Sequence, residues 1–371
     1  MIELRSDNAA GVAPDILAAL EAANTGSALA YGGDDLTAHL QDVVRSVFDH
    51  PSARAFPVTS GTAANSLALS AATPPWGAVL CHPTAHIVTS EAGATSLFGG
   101  GAVMQGVEGD HALIDPDRLR ATLDSVRWGD PHESQPSVLS LTLPSDLGTL
   151  YRPEEVTALA AIARGSGLKV HLDGARIANA VAALGCSPAD VTWRAGVDVL
   201  SFGGTKNGAA VGEAVVFFDK HLAAEFDYRC KQAGQLASKM RFLSAPWVGM
   251  LTDGAWLKHA DHSNAMAARL EAAVRRLPAG LGQRVLFPRQ ANSVFVELPP
   301  PAIETLRDRG WRFYTFIGQG GCRFMCSWDT TPQDVDDFAA DLGAALEGTG
   351  RDGAAVPAGR DLRVLAADQT V

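Results

Sequence analysis

The nine residues Leu168-Lys169-Val170-His171-Leu172-Asp173-Gly174-Ala175-Arg176 decide the fold. The run 168–172 predicts a buried strand, and Asp173 closes it at the carboxyl end. A carboxylate at that place matters, because ligands of open α/β sheets bind outside the carboxyl ends of the strands. Asp173 and Arg176 are three residues apart and would point toward one crevice. A surface Asp–Arg pair at a strand-to-helix turn would explain the same residues equally well.

Outward from this stretch, short apolar runs at 78–81, 138–143, 197–202 and 214–218 predict further strands, with another at 55–59. Helical patterns at 63–72 and 153–166 lie between them. Strands alternating with helices predict a mainly parallel sheet covered on both faces. Upstream, a helix begins at Pro14 and stops near Asn24. A second carries Leu36, Leu40, Val43, Val44, Val47 and Phe48 at helical spacing. Beyond Lys258 the texture changes. A long helix with Met266, Leu270, Val274 and Leu277 leads to strands at 293–298, 312–316 and 323–328, then to a helix at 332–346. That order predicts a smaller α+β domain. The expected division is an N-terminal arm (1–30), a large domain (31–255), a small C-terminal domain (256–348) and a loose tail (349–371).

Composition narrows the function. The chain has 371 residues and a net charge of −11, so its surface repels phosphate backbones and nucleic-acid partners are not expected. No apolar run is long enough for a membrane span, and the charged start MIELRSDNAAGV does not read as a secretory signal. The five scattered cysteines fit reduced thiols in a cytoplasmic protein. Cys322 and Cys326 are expected to pack, and no metal is expected because no second Cys/His cluster accompanies them.

Two more motifs carry chemistry. Ser201-Phe202-Gly203-Gly204-Thr205-Lys206-Asn207-Gly208 places Lys206 in a Gly-rich loop after a buried strand, where desolvation can make the amine a nucleophile toward aldehydes. A phosphate-binding P-loop would need Ser or Thr after the lysine, and Asn207 stands there. A structural loop lysine is the plainer alternative. Ser60-Gly61-Thr62-Ala63-Ala64-Asn65 joins a strand to a helix and offers hydroxyls and backbone N–H groups to an anion, though a simple N-cap accounts for it too. Taken together, a phosphate site, an Asp for a pyridinium nitrogen and a Lys for a Schiff base are what pyridoxal 5'-phosphate requires. His86, just past another strand end, could stack on its ring.

At these residues the sequence resembles the low-specificity L-threonine aldolases, fold-type-I pyridoxal phosphate enzymes of the β-eliminating lyase group. The likeness runs from Ser6 to about Leu346 and is most specific in SGTAANSLAL (60–69), HLDGAR (171–176), SFGGTKNGAAVGE (201–213), 228–253 and 312–329. It implies an aspartate-aminotransferase-like α/β fold, with a large domain built on a mainly parallel seven-stranded sheet and a small α+β domain. It implies that Lys206 forms the Schiff base, Asp173 pairs with the pyridine nitrogen, Gly61 and Thr62 bind phosphate, and His86 stacks on the ring. Ser6, Arg176 and Arg323 match positions that hold the substrate carboxylate, and Tyr31 and Arg241 match regions that approach the phosphate. The implied reaction is retro-aldol cleavage of a β-hydroxy-α-amino acid, L-threonine giving glycine and acetaldehyde, in a homo-oligomer built as a dimer of dimers. The segment Leu143-Pro144-Ser145-Asp146 departs from the family, since some members carry a second active-site histidine there. An aminotransferase or β-eliminating lyase would share the Lys206/Asp173 pair. A non-catalytic cofactor-binding protein would keep the scaffold without turnover.

Overall fold

A computed structural model describes residues 2–318 and 320–349. The chain forms two compact units. One comprises Gly11–Asp146 and Leu150–Lys258, the other the described parts of Met1–Ala10, Leu147–Thr149 and His259–Val371.

The chain opens on β1 (Ile2–Glu3), followed by α1 (Pro14–Ala23) and α2 (Asp35–Val47). Then come β2 (Arg54–Val58), α3 (Gly61–Ala72), β3 (Gly77–Cys81), α4 (His86–Thr89), α5 (Ala94–Phe98) and β4 (Val103–Gly106). Next are α6 (Pro116–Asp124), β5 (Gln135–Thr142), α7 (Pro153–Gly165), β6 (Lys169–Gly174) and α8 (Ile177–Leu184). β7 (Val199–Gly203), β8 (Glu213–Phe217), α9 (Phe226–Gln232) and α10 (Arg241–Leu251) complete the large unit, and α11 (Ala255–Arg276) follows.

Among the described residues the large sheet has seven strands in the order β2-β8-β7-β6-β5-β3-β4. Only β8 runs against the others, antiparallel to both β2 and β7. The sheet is therefore mainly parallel, as the alternating pattern predicts. Strands β3, β7 and β8 are buried at every residue, which is the signature of a sheet covered on both faces. On one face Phe56, Leu67, Val215, Phe217 and Phe226 form a core. Phe202 turns the other way and packs on Phe48 and Trp247, with ring centroids 5.4 and 4.5 Å apart. The central helix α3 is buried from Ala64 to Ser70, and its small Ala and Ser side chains let it lie close to its neighbours. The short β4 went unread in the sequence because three of its four residues are exposed and give no apolar signal.

The smaller unit adds β9 (Arg284–Val285), β10 (Ser293–Glu297), α12 (Pro300–Asp308), β11 (Trp311–Arg312), β12 (Tyr314–Ile317), β13 (Gly321–Met325) and α13 (Pro332–Thr349). An antiparallel sheet in the order β12-β13-β10-β9 packs a core of Leu270, Val296, Leu306, Phe324, Phe338 and Leu342. Two strand expectations need correction. The single strand read at 312–316 is divided, because β11 pairs in parallel with β1 while β12 pairs with β13. The strand read to residue 328 stops at Met325: the Cys326 N–H donates to the Asn292 carbonyl, and Ser327 enters a turn whose N–H donates to the Thr330 hydroxyl. The last helix reaches Thr349, so the rest of the expected tail, 350–371, lies outside the described residues. All five cysteines are free thiols.

Candidate active site

Register places the motifs of the large unit at one edge of its sheet. Val58 of β2 and Gly203 of β7 both pair with Glu213 of β8, so the turn into α3 and the turn that carries Lys206 leave the sheet side by side. Asp173 pairs with Ser201 on one side and Thr142 on the other, at the same carboxyl edge. His86 opens α4 five residues after β3 ends. This is the edge at which open α/β sheets bind ligands.

At the first corner Ser60 caps α3 by accepting the Ala63 N–H at 3.2 Å, so Gly61 and Thr62 supply the opening N–H groups of a helix whose start carries positive partial charge. A Cβ built on Gly61 would meet nothing within 4 Å, so the space in front of this helix end is open.

Lys206 stands half-buried in a single 3-10 turn, Thr205–Asn207, between Gly204 and Gly208. Gly208 has φ of 108°, and a Cβ on Gly204 would come within 2.7 Å of the Gly212 carbonyl and 3.1 Å of the Trp247 ring. The turn is therefore shaped by glycine at both ends. Beneath it the carboxylate of buried Glu213 accepts the Gly204 N–H at 3.2 Å. Burial pushes the Glu213 carboxyl up, opposed by the charge of Lys206 and by hydrogen bonds from Thr205 and Gly204.

Asp173 is 3 % exposed. One of its oxygens accepts the Ala175 N–H at 3.1 Å and the other accepts from the Asn65 amide at 2.9 Å. The same Asn65 nitrogen donates to Glu91 Oε1 at 2.9 Å, and Glu91 Oε1 takes the Nδ1 proton of His86 at 2.8 Å. The Glu91 hydrogen bond raises the His86 proton affinity; burial works against it, and the charges of Asp173 and Asp146 add to it. Asn65, Glu91 and Glu213 escaped the sequence reading. The local signals were an Asn one turn into the helix after Gly61 and an acid five residues beyond His86, and neither shows its partner in the sequence.

Behind Asp173 on the same face of β6, His171 bridges Ser140 of β5 (2.9 Å) and Ser201 of β7 (3.0 Å). Its complete burial pulls its titration down to about 4, against a smaller opposing effect of Asp173.

The remaining predicted residues are more dispersed. Arg176 is half-buried at the N-cap of α8. Tyr31 is exposed with φ of 56°, and the Lys231 ammonium lies 4.7 Å from its ring centre. Arg241 opens α10 and donates to the carbonyls of Thr25 and Gly26, each at 3.2 Å. In the smaller unit Ser6 caps a 3-10 turn by accepting the Asn8 N–H, and Arg323 of β13 donates to the carbonyl of Arg5, the residue before it. In the departing segment the Ser145 hydroxyl donates to the main-chain carbonyl of His111 at 3.3 Å.

A family model described as beta-eliminating lyase matches residues 3–298. The chain belongs to the β-eliminating lyase family. It is 49% identical over 344 residues to a "Low specificity L-threonine aldolase" of Pseudomonas sp. (strain NCIMB 10558), covering 93% of this chain and 98% of that protein. To a protein of the same name from Pseudomonas aeruginosa it is 50% identical over 340 residues, covering 92% and 96%. A solved threonine aldolase from Leishmania major superposes with a TM-score of 0.86 at 26% identity, over 93% of this chain and all of that one. The match to the β-eliminating lyase family spans every motif at the sheet edge, from Gly61 to Lys206.

Proposed function

We propose that this β-eliminating lyase family member is a carbon–carbon lyase that cleaves L-threonine, L-allo-threonine and related β-hydroxy-α-amino acids to glycine and an aldehyde, with pyridoxal 5'-phosphate as cofactor. The observation that carries this reading is the convergence at one sheet edge of an open helix start, a buried Asp held at both oxygens and a lysine on a glycine-bounded turn. The relatives at 49% and 50% identity, over more than nine-tenths of the chain, support the substrate class.

These residues fit the cofactor. The N–H groups of Gly61 and Thr62 suit a phosphate. Asp173, buried and held at both oxygens by N–H donors, suits a protonated ring nitrogen. The half-buried Lys206 suits the aldehyde carbon. When bound, pyridoxal phosphate supplies an electron sink for the pair released at the substrate Cα.

The protein's own part is binding, orientation and proton movement. Arg176 offers the substrate carboxylate a bidentate partner and so sets which bond at Cα can break. His86 donates from Nδ1 to Glu91, which leaves Nε2 as the nitrogen that accepts the β-hydroxyl proton, directly or through water. As that proton leaves, the Cα–Cβ bond breaks, the aldehyde departs and Cα takes up a proton to give glycine.

The test is incubation with L-threonine and assay of acetaldehyde, glycine and keto acid. Acetaldehyde and glycine in equal amounts are expected, and Lys206→Ala is expected to abolish both together with cofactor absorbance. Keto acid in place of aldehyde, or a Lys206→Ala variant with full turnover, would overturn the proposal. We place the enzyme in the cytoplasm as a dimer of dimers, on the family resemblance and on the exposure of Leu29, Tyr31 and Tyr228, which are 75, 53 and 73 % accessible. No described helix is long and apolar enough to cross a membrane.

A further inference from the structure

We propose that Glu91 is a positioning residue for His86, and that Asn65 joins this pair to Asp173 as one anionic relay. The inference rests on the reading of His86 and Asp173 as cofactor-facing groups.

The local chain is bent to bury this carboxylate. Ala92 and Gly93, directly after Glu91, both lie in the left-handed region, with φ of 50° and 75°. For alanine that conformation is strained, because the Cβ crowds the backbone carbonyl. The result is that Glu91 is 4 % exposed, with its side chain fully covered.

A carboxylate buried for stability would be expected to satisfy both oxygens. Here Oε1 carries the bonds from His86 and Asn65, while Oε2, and likewise Asn65 Oδ1, has no hydrogen-bond partner among the described residues. Burial on those terms works against folding, so the gain lies in what Oε1 does. It holds the His86 ring by Nδ1, which selects the tautomer and turns Nε2 outward. Asn65 can hold only one orientation, because both of its partners are carboxylates and only its NH2 can face them. Its bond to Asp173, together with the Ala175 N–H on the other oxygen, leaves that carboxylate no freedom to rotate. The charged groups facing His86 are Glu91 by hydrogen bond and Asp173 and Asp146 through space. Glu91→Gln therefore removes the nearest of three negative charges and preserves the shape of the site.

The experiment follows the His86 signals of 15N-histidine-labelled protein against pH, with and without bound pyridoxal phosphate, in wild type, Glu91→Gln and Glu91→Asp. His86→Asn supplies the assignment. The expected wild-type midpoint lies above the ordinary 6.5. In Glu91→Gln it should fall by about one pH unit, a tenfold loss of proton affinity, and Glu91→Asp should restore most of it. Asn65→Ala should weaken pyridoxal phosphate binding about tenfold by loosening Asp173. A merely structural Glu91 would leave the His86 midpoint in place, and that result overturns the proposal. A wild-type midpoint at or below 6.5 overturns it without any variant, so a misfolded mutant does not block the test. If wild type takes up no pyridoxal phosphate, the functional reading fails, while the unloaded titration still decides the role of Glu91.

Discussion

His171 should make the stability of this protein fall in acid by an amount that can be worked out. It lies in the middle of the sheet, fully buried between two serine hydroxyls, and titrates at about 4 in place of 6.5. The unfolded chain therefore binds a proton that the folded chain refuses throughout that interval. Stability is full above pH 6.5 and is lost as pH falls toward 4, because the state that binds more protons gains from added acid. A gap of about 2.5 units at 1.36 kcal/mol each gives a loss of about 3 kcal/mol. Other groups titrate in the same window, so the informative quantity is a difference. His171→Gln keeps hydrogen-bonding capacity and cannot titrate. At pH 7 it should be less stable than wild type by about 1–2 kcal/mol for imperfect hydrogen bonds and packing. By pH 4 that deficit should shrink by about 3 kcal/mol and reverse. Urea unfolding followed by tryptophan fluorescence at fixed cofactor saturation measures both curves. A difference that stays flat between pH 7 and pH 4 would refute the reasoning, since it would mean that folding does not exclude the proton.

Two glycines at the sheet edge should respond in opposite ways. A Cβ on Gly203 would sit 2.1 Å from the Ala175 carbonyl oxygen, so Gly203→Ala must push β6 and β7 apart and should cost about 3 kcal/mol or more by urea unfolding, with loss of turnover. Gly61→Ala meets no atom within 4 Å and should change stability by less than about 1 kcal/mol, yet weaken pyridoxal phosphate binding by placing a methyl group at the open helix start. Asp34 caps α2 by accepting the Thr37 N–H at 2.8 Å and its hydroxyl at 2.9 Å, so Asp34→Ala should cost about 1–2 kcal/mol in the unfolding curve and leave kcat unchanged.

Much of this was legible in the chain because the informative patterns are local. A strand that ends in Asp173, a lysine between glycines and a Ser-Gly-Thr helix start each occupy fewer than ten consecutive residues, and their backbone conformation follows from those residues. Strand boundaries were less legible where tertiary pairing sets them. Nothing in residues 311–317 says that the first two will pair with β1 and the rest with β13, since an apolar run suits either neighbour.

The sequence by itself determined the α/β architecture, the alternation of its main strands and helices, and the residue types offered at the strand ends: a Ser-Gly-Thr helix start, an Asp and a Lys. Periodicity and turn chemistry act over a few residues, and these features need no more. Only the tertiary structure decided that Asn65 reaches Glu91, 26 residues away, and Asp173, 108 away, and that His171 is locked between two serines on neighbouring strands. Those links depend on sheet register and on two left-handed residues after Glu91, which place side chains within 3 Å of partners that no local pattern can name.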